Sequence, residues 1–329
     1  MSLPRKFLIY YEDEHRELCD EPIEMEIAIR TEKFIKLEES MIMKKHPKDE
    51  ALSTNLADEK DLTIHPSSLQ FGRYIGDGTH AAVRLGFHEP TNAWYAVKTI
   101  LSRNGGHEAV QKEILAYQEC SKSDFVVRFY GSEVSSQKKE LVLEHMDRGD
   151  VKHLGILPVE IHQQVALAVI KGLRDVWQSG PGYIHRDIKP ANILLKSDGS
   201  VKIADLGEAK RIDNTNQIAC SAAGTLFYQS PEQSSGRDYD NKVDVWSYGL
   251  TLWELAVGEN IEEYFNALED IQENMPRIPG FPESLTTLIK NCLKWDPADR
   301  WDGEQIESSD YLKDVKIDRE IVRRFLENT

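Results

Sequence analysis

Ten residues constrain this chain more than any others: Tyr183-Ile184-His185-Arg186-Asp187-Ile188-Lys189-Pro190-Ala191-Asn192, followed by the apolar run Ile193-Leu194-Leu195. They hold a candidate base, a candidate cation and a candidate metal ligand, and a loop pinned by a strand would keep all three rigid. Taken alone, the stretch also fits an ordinary polar turn. Its partners elsewhere in the chain decide between the two.

At 329 residues the chain exceeds the roughly 250–300 residues at which a single core stops growing, so two lobes or domains are expected. Hydrophobic residues at 40% and charged residues at 29% are ordinary for a folded globular protein. Asp and Glu number 56 against 40 Lys and Arg, a formal charge of -16, which argues against nucleic-acid binding through net basicity. Any anionic ligand must be held by local groups. Cys19, Cys120, Cys220 and Cys292 are far apart, with neither zinc-site nor disulfide-framework spacing. No apolar run reaches the roughly 18–20 residues of a membrane span, and the opening Met1-Ser2-Leu3-Pro4-Arg5-Lys6 leads into no secretory signal. The expectation is a soluble protein of a reducing compartment, cytoplasmic, with the nucleus also open.

Residues 1–66 are the least legible. Glu24 to Lys45 fits strands through Met25, Ile27 and Ile29, or a helix through Phe34, Leu37 and Met41, and the period leaves both readings standing. From Lys44 to His65 apolar residues thin out, which predicts a linker. Order returns at Leu69, followed by Gly76-Asp77-Gly78-Thr79-His80-Ala81-Ala82-Val83 and then Tyr95-Ala96-Val97-Lys98. Two hairpin strands with glycines at the tip let backbone N–H groups approach phosphate oxygens, which a lysine on the next strand can neutralise. A tight hairpin without a ligand is the plainer reading of the glycines by themselves. Val110, Ile114, Leu115 and Tyr117 predict a helix over 107–120, and Glu140 to Met146 reads as a buried strand entering a polar connector.

After Pro158, Val165, Val169, Leu173 and Val176 carry a second helix. Val201-Lys202-Ile203-Ala204 is a strand running into Asp205-Leu206-Gly207. Asp244 opens a strongly apolar helix to about Val257, the central pillar of the second lobe, and another helix is expected over 283–293. From Tyr311 to Asn328, Ile317, Ile321, Val322, Phe325 and Leu326 share one side of a last helix, with acids early and Arg323-Arg324 late.

The spacing H-R-D-x-K-x-x-N over 185–192, together with Gly76 and Gly78, Lys98, Asp205-Leu206-Gly207 and Ser230-Pro231-Glu232, resembles the catalytic domain of eukaryotic protein kinases. The resemblance runs from Gly76 to Arg300. It implies an α+β bilobal fold: an N-terminal extension (1–66), a small β-rich lobe with its hinge (67–147), a larger α-helical lobe (148–310) and a C-terminal helix (311–329). It also implies ATP and Mg2+ as cofactors. The nucleotide would meet Ile75, Gly76, Gly78, Val83, Ala96, Lys98, Leu143, Glu144, Met146 and Leu194, and the metal would be held by Asn192 and Asp205. The implied catalytic set is Asp187, accepting the substrate's hydroxyl proton, Lys189 at the γ-phosphate, Asn192, and Lys98 held by Glu113. Glu232 is expected to pair with Arg300, since each alone would carry a heavy desolvation cost.

Within that superfamily, Glu144-His145-Met146-Asp147, Ala168-Val169-Ile170-Lys171-Gly172-Leu173 and Asp187 to Leu194 are similar to the MAP kinase kinases. Those enzymes phosphorylate Thr and Tyr of a T-x-Y loop in a MAP kinase, so the resemblance implies a MAP kinase substrate and an upstream MAP kinase kinase kinase here. Lys189 marks the serine/threonine-type loop. There are departures: Ala81 stands at the third glycine position, Leu206 replaces a phenylalanine, Ala204 a cysteine, and Glu208-Ala209 also deviate. Gln217 occupies one phosphoacceptor position, leaving Ser221, with Thr215 and Thr225 nearby, as regulatory phosphosites. These departures keep two rivals in view, another serine/threonine kinase and a pseudokinase that binds partners. Arg186, taken as unpaired beside the base, is expected to await a phosphate. Arg5-Lys6-Phe7-Leu8-Ile9 fits a MAP kinase docking motif or a plain edge strand, and the last helix either packs on the second lobe or serves as a docking helix.

Overall fold

Strands β1 (Gln70–Asp77), β2 (Ala81–His88), β3 (Ala93–Ile100), β4 (Phe129–Val134) and β5 (Lys139–Glu144) form one sheet in the order β1-β2-β3-β5-β4, every pairing antiparallel. The computed structural model describes residues 62–77, 81–101, 106–135, 138–212, 226–261 and 278–329. Gly78, Thr215, Ser221 and Thr225 lie outside the described residues, as do the segment 24–45 and the basic-aliphatic motif at 5–9.

Side chains alternate along a strand, so β3 serves two faces. Tyr95 and Val97 are buried on one with Ile64, Leu69 and Val142. Ala96 and Lys98 take the other, paired in register with Leu143 and Leu141 of β5. The chain before β1 seals the first face: Ile64 is buried and its N–H donates to the Tyr130 carbonyl at 2.9 Å. The end of the expected linker is therefore packed, because Leu62 and Ile64 supply the apolar cover that this face needs. Gly131 permits the crossing, since a Cβ there would sit 2.3 Å from the Ile64 carbonyl oxygen.

Helix α1 (Gly106–Glu119) lies against β4. In α2 (Val159–Gln178) the residues Val165, Val169, Leu173 and Val176 are all buried, as their spacing predicts. After the short α3 (Pro231–Ser234), α4 (Lys242–Val257) is buried from Val243 to Ala256 on every side, which an all-round apolar helix demands. Gly258, at φ 76, ends it by donating to the Glu254 carbonyl. Helix α5 (Glu283–Cys292) packs on α4, while α6 (Gly303–Glu307) and α7 (Arg319–Glu327) pack on α2.

The last helix is shorter than the expected 311–328. Tyr311 and Leu312 turn inward and are buried, and the Asp318 carboxylate caps α7 by accepting from the Glu320 N–H at 2.9 Å. Gln164 of α2 grips the approach, donating to the Lys316 carbonyl and accepting from the Asp318 N–H, both at 2.9 Å. Val322 and Leu326 are buried and Phe325 packs beside them, so the apolar stripe is used in packing.

Two small antiparallel pairs complete the frame: β6 (Tyr183–Ile184) with β9 (Lys210–Arg211), and β7 (Ile193–Leu195) with β8 (Val201–Ile203). Arg300, 1% exposed, donates to both Glu232 oxygens at 2.5 and 2.8 Å and to the Lys294, Trp295 and Lys242 carbonyls. Among the described residues no helix is long and apolar enough to cross a membrane.

Candidate active site

The loop 185–192 hangs between β6 and β7 and is held from below by one acid. Asp244, fully buried in the first turn of α4, accepts the N–H groups of His185 at 2.8 Å and Arg186 at 2.7 Å, and the Trp177 indole N–H at 2.9 Å. Arg186 needs this hold: its φ of 69 is left-handed, a conformation costing a non-glycine residue about 1–3 kcal/mol unless its surroundings over-determine it. His185, also buried, donates from Nε2 to the Ala204 carbonyl at 3.1 Å and accepts the Asp187 N–H on Nδ1 at 3.3 Å. Asp187 is thereby aimed. Lys189 Nζ lies 2.8 and 3.0 Å from its two oxygens, and Asn192 Nδ2 donates to its Oδ2 and its backbone carbonyl at 2.8 Å.

Across the cleft, Lys98 Nζ on β3 sits 2.8 Å from Glu113 Oε1 and 2.7 Å from Asp205 Oδ1. Glu113 arrives there because it lies on the buried stripe of α1, with Val110, Ile114 and Tyr117, at the spacing i, i+3, i+4, i+7. Burial alone would lower the Lys98 pKa, but the Asp205 and Glu113 charges outweigh it and raise it above the ordinary lysine range. Burial pushes the Glu113 carboxyl up in spite of Lys98, and the nearby Asp205 charge adds to the rise. Burial would also raise Asp205, yet Lys98 and the Gly207 N–H, which donates to Oδ1 at 3.1 Å, hold its carboxyl below the usual range. Asp205 too has a left-handed backbone, φ 65. Leu206 beside it is buried in the core.

A cavity of about 570 Å³ opens between these two groups. Ile75, Gly76, Val83, Ala96 and Lys98 line it from β1 to β3, Leu143, Glu144 and Met146 from β5 and the chain beyond it, and Asn192, Leu194 and Asp205 from the opposite side. The Glu144 carboxylate is engaged elsewhere, by Lys202 Nζ at 2.7 Å and Lys196 Nζ at 3.1 Å, and its backbone N–H donates to the Arg128 carbonyl at 2.8 Å. Asp187 and Lys189 stand beside the cavity through Asn192, and Glu113 reaches it through Lys98.

Tyr117, Val127 and Asp150 also line the cavity, and with Asp244 they carry no motif. The step of four residues from Glu113 to Tyr117 is the one local signal that could have flagged any of them. Asp244 reads as a helix-start acid, and its partners lie 58 and 59 residues away. Arg186 corrects an expectation, for it is not idle: Nε donates to the Glu208 carbonyl at 2.5 Å and Nη1 to the Tyr239 hydroxyl at 3.0 Å. A five-donor guanidinium in a half-buried loop takes neutral acceptors when they are within reach.

The Asp205 carboxylate and the Asn192 side-chain carbonyl are hard oxygen donors, the type that suits magnesium. Among the described residues no cluster of three or more His, Cys, Asp or Glu could hold an ion unaided. Magnesium commonly takes only one or two carboxylates, completing its shell with water and phosphate oxygens, and the donors present fit that habit.

The family model for the protein kinase domain matches residues 69–312. A mitogen-activated protein kinase kinase of Pyricularia oryzae is 29% identical over 287 residues, covering 80% of this chain and 68% of its own length. Mitogen-activated protein kinase kinase 2 of Arabidopsis thaliana is 31% identical over 266 residues, covering 75% and 72% respectively. Serine/threonine-protein kinase KIC1 of Saccharomyces cerevisiae reaches 29% over 268 residues, 77% of this chain but 25% of that protein. Its likeness is thus confined to one domain of a longer chain, whereas the other two are matched along most of their length.

Proposed function

This chain belongs to the protein kinase family, and from that premise we propose that it phosphorylates a threonine and a tyrosine in the T-x-Y activation loop of a MAP kinase, with ATP and Mg2+. The observation that carries the reading is the convergence of Lys98, Asp205, Asn192 and Asp187 on one cleft while Glu113 holds Lys98. An αC-type glutamate–lysine pair and a metal-holding aspartate both in place are what phosphoryl transfer by this family requires.

In this reading the apolar walls, Val83, Ala96, Leu143, Met146 and Leu194, take the adenine, and Lys98 neutralises phosphate oxygens. Magnesium on Asp205 and Asn192 would screen the negative charge of the phosphates. Asp187 accepts the proton of the attacking hydroxyl as the new O–P bond forms and the bond to the leaving ADP oxygen breaks. Lys189, already at the Asp187 carboxylate, is placed to steady the transferred phosphoryl group. Little covalent chemistry falls to the protein, so positioning and fixed charge supply most of the rate.

The MAP kinase substrate is supported by the two relatives matched along most of their length, and the same likeness supports an upstream MAP kinase kinase kinase, to which the sequence offers Ser221, Thr215 and Thr225 as acceptors. The KIC1 match favours a second reading, a serine/threonine kinase with another protein substrate. Incubating the chain with magnesium, ATP and candidate MAP kinases, followed by phosphosite mapping, separates the two. Labelling of both T-x-Y residues is expected. Turnover confined to unrelated proteins would favour the second reading, and no turnover at all would favour a partner-binding pseudokinase.

A further inference from the structure

Tyr117 takes no part in the transfer described above, yet its phenol oxygen sits at the centre of the site. It accepts the backbone N–H of Asp205 at 3.1 Å. Glu113 and Tyr117 lie one helical turn apart on the same buried face of α1. Glu113 takes Lys98 at 2.8 Å, Tyr117 takes the Asp205 backbone, and Lys98 and Asp205 meet each other at 2.7 Å. One turn of helix therefore holds both members of the pair.

Asp205 needs such a hold more than its neighbours. Its φ of 65 persists only where the surroundings enforce it. Leu206, next in the chain and 1% exposed, anchors the segment by bulk alone, and an aliphatic side chain gives no direction to a backbone. The Tyr117 hydroxyl does give direction. Its ring is 1% exposed and stacks on Phe129, centroids 6.2 Å apart and planes at 16°, so the oxygen is fixed in place. Phenylalanine would fill the same space, which leaves the hydroxyl as the feature that packing does not explain.

We propose that Tyr117 is a positioning residue whose hydroxyl locks Asp205 in the left-handed conformation that aims its carboxylate at Lys98 and at the metal. The inference rests on the reading of Asp205 as metal holder, but its first test does not. In the full chain without ligand, Tyr117→Phe should speed exchange of the Asp205 amide proton, read by NMR, by about tenfold, with a fall of only a few degrees in melting temperature. In turnover assays the same variant should lower kcat by about tenfold and raise the magnesium concentration for half-maximal rate several-fold, with KM for ATP little altered. In the wild type the Asp205 amide should itself exchange at least about tenfold more slowly than an unbonded amide, a measurement that stands if Tyr117→Phe fails to fold. An unprotected Asp205 amide in the wild type, or wild-type exchange at Asp205 in folded Tyr117→Phe, overturns the proposal. So does a raised KM for ATP at unchanged kcat, which would make Tyr117 a mere wall of the cleft. A wild-type chain without turnover defeats the kinase reading instead, and the exchange measurement still decides the lock.

Discussion

Asp187 is 7% exposed and receives donors from Lys189 and Asn192 on its carboxylate, so its shape can be kept while its basicity is removed. Asp187→Asn is expected to lower kcat by about 10²–10⁴-fold with little change in nucleotide affinity, since loss of a positioned base has that magnitude. Steady-state kinetics beside calorimetric ATP binding checks it, and near wild-type turnover would remove Asp187 from the role of base. Arg300 and Glu232 make the opposite point about a charged pair. With Arg300 fully enclosed, Glu232→Ala leaves a guanidinium without its counter-ion, and a loss of about 3–5 kcal/mol in urea unfolding is expected. Replacing both residues by apolar ones of similar volume should recover part of that loss.

At the scale of elements, α1 and α7 show how one periodicity serves two ends. In α1 the stripe Val110, Glu113, Ile114, Tyr117 is buried, and a glutamate and a tyrosine within it carry polar contacts across the cleft. In α7 the stripe is apolar throughout and lies against α2, held in register by Gln164. Leu326, 3% exposed, should therefore cost about 2–5 kcal/mol when changed to alanine. Phe325, only partly buried, should cost less than a core phenylalanine does. Equilibrium unfolding of the two variants tests the ranking, and a Leu326→Ala protein as stable as wild type would show that the α7 stripe is not a packing surface.

At the scale of the whole molecule, His162 ties three distant parts of the chain together. From α2 its Nε2 donates to the Leu252 carbonyl on α4 at 2.9 Å, and its Nδ1 accepts from the Tyr311 hydroxyl at 2.8 Å. A neutral imidazole satisfies both contacts, and burial pushes its pKa down to about 4 from an ordinary 6.5, the Leu252 contact opposing only weakly. A depressed histidine contributes stability that is whole above pH 6.5 and is lost as the pH falls toward 4, because the unfolded chain binds the proton first. The wild type should lose about 3 kcal/mol across that window through this residue. The loss is read as the difference in urea stability between wild type and His162→Gln at each pH. Parallel pH profiles for the two proteins would refute it.

The amino-acid sequence was enough to mark the longer elements and the motif spacing. Periodicity marks α2, whose buried positions recur every three to four residues, while unbroken apolar runs mark α4 and β5, which are buried on all sides; His185 to Asn192, Lys98 and Asp205 stand out because their spacing is local. Only folding in three dimensions brings Asp244 under the loop 185–192, Tyr117 to Asp205, Leu62 and Ile64 onto the sheet, and Gln164 and His162 to the C-terminal turn. Those contacts join residues 58, 88, 66, 152 and 149 positions apart. Such a contact leaves no periodic trace: a helix-start aspartate, a core tyrosine and a mid-helix glutamine look alike in sequence whether or not a distant backbone group arrives to meet them. The left-handed backbones of Arg186 and Asp205 were likewise hidden, since nothing in an arginine or an aspartate announces a strain that only its surroundings impose.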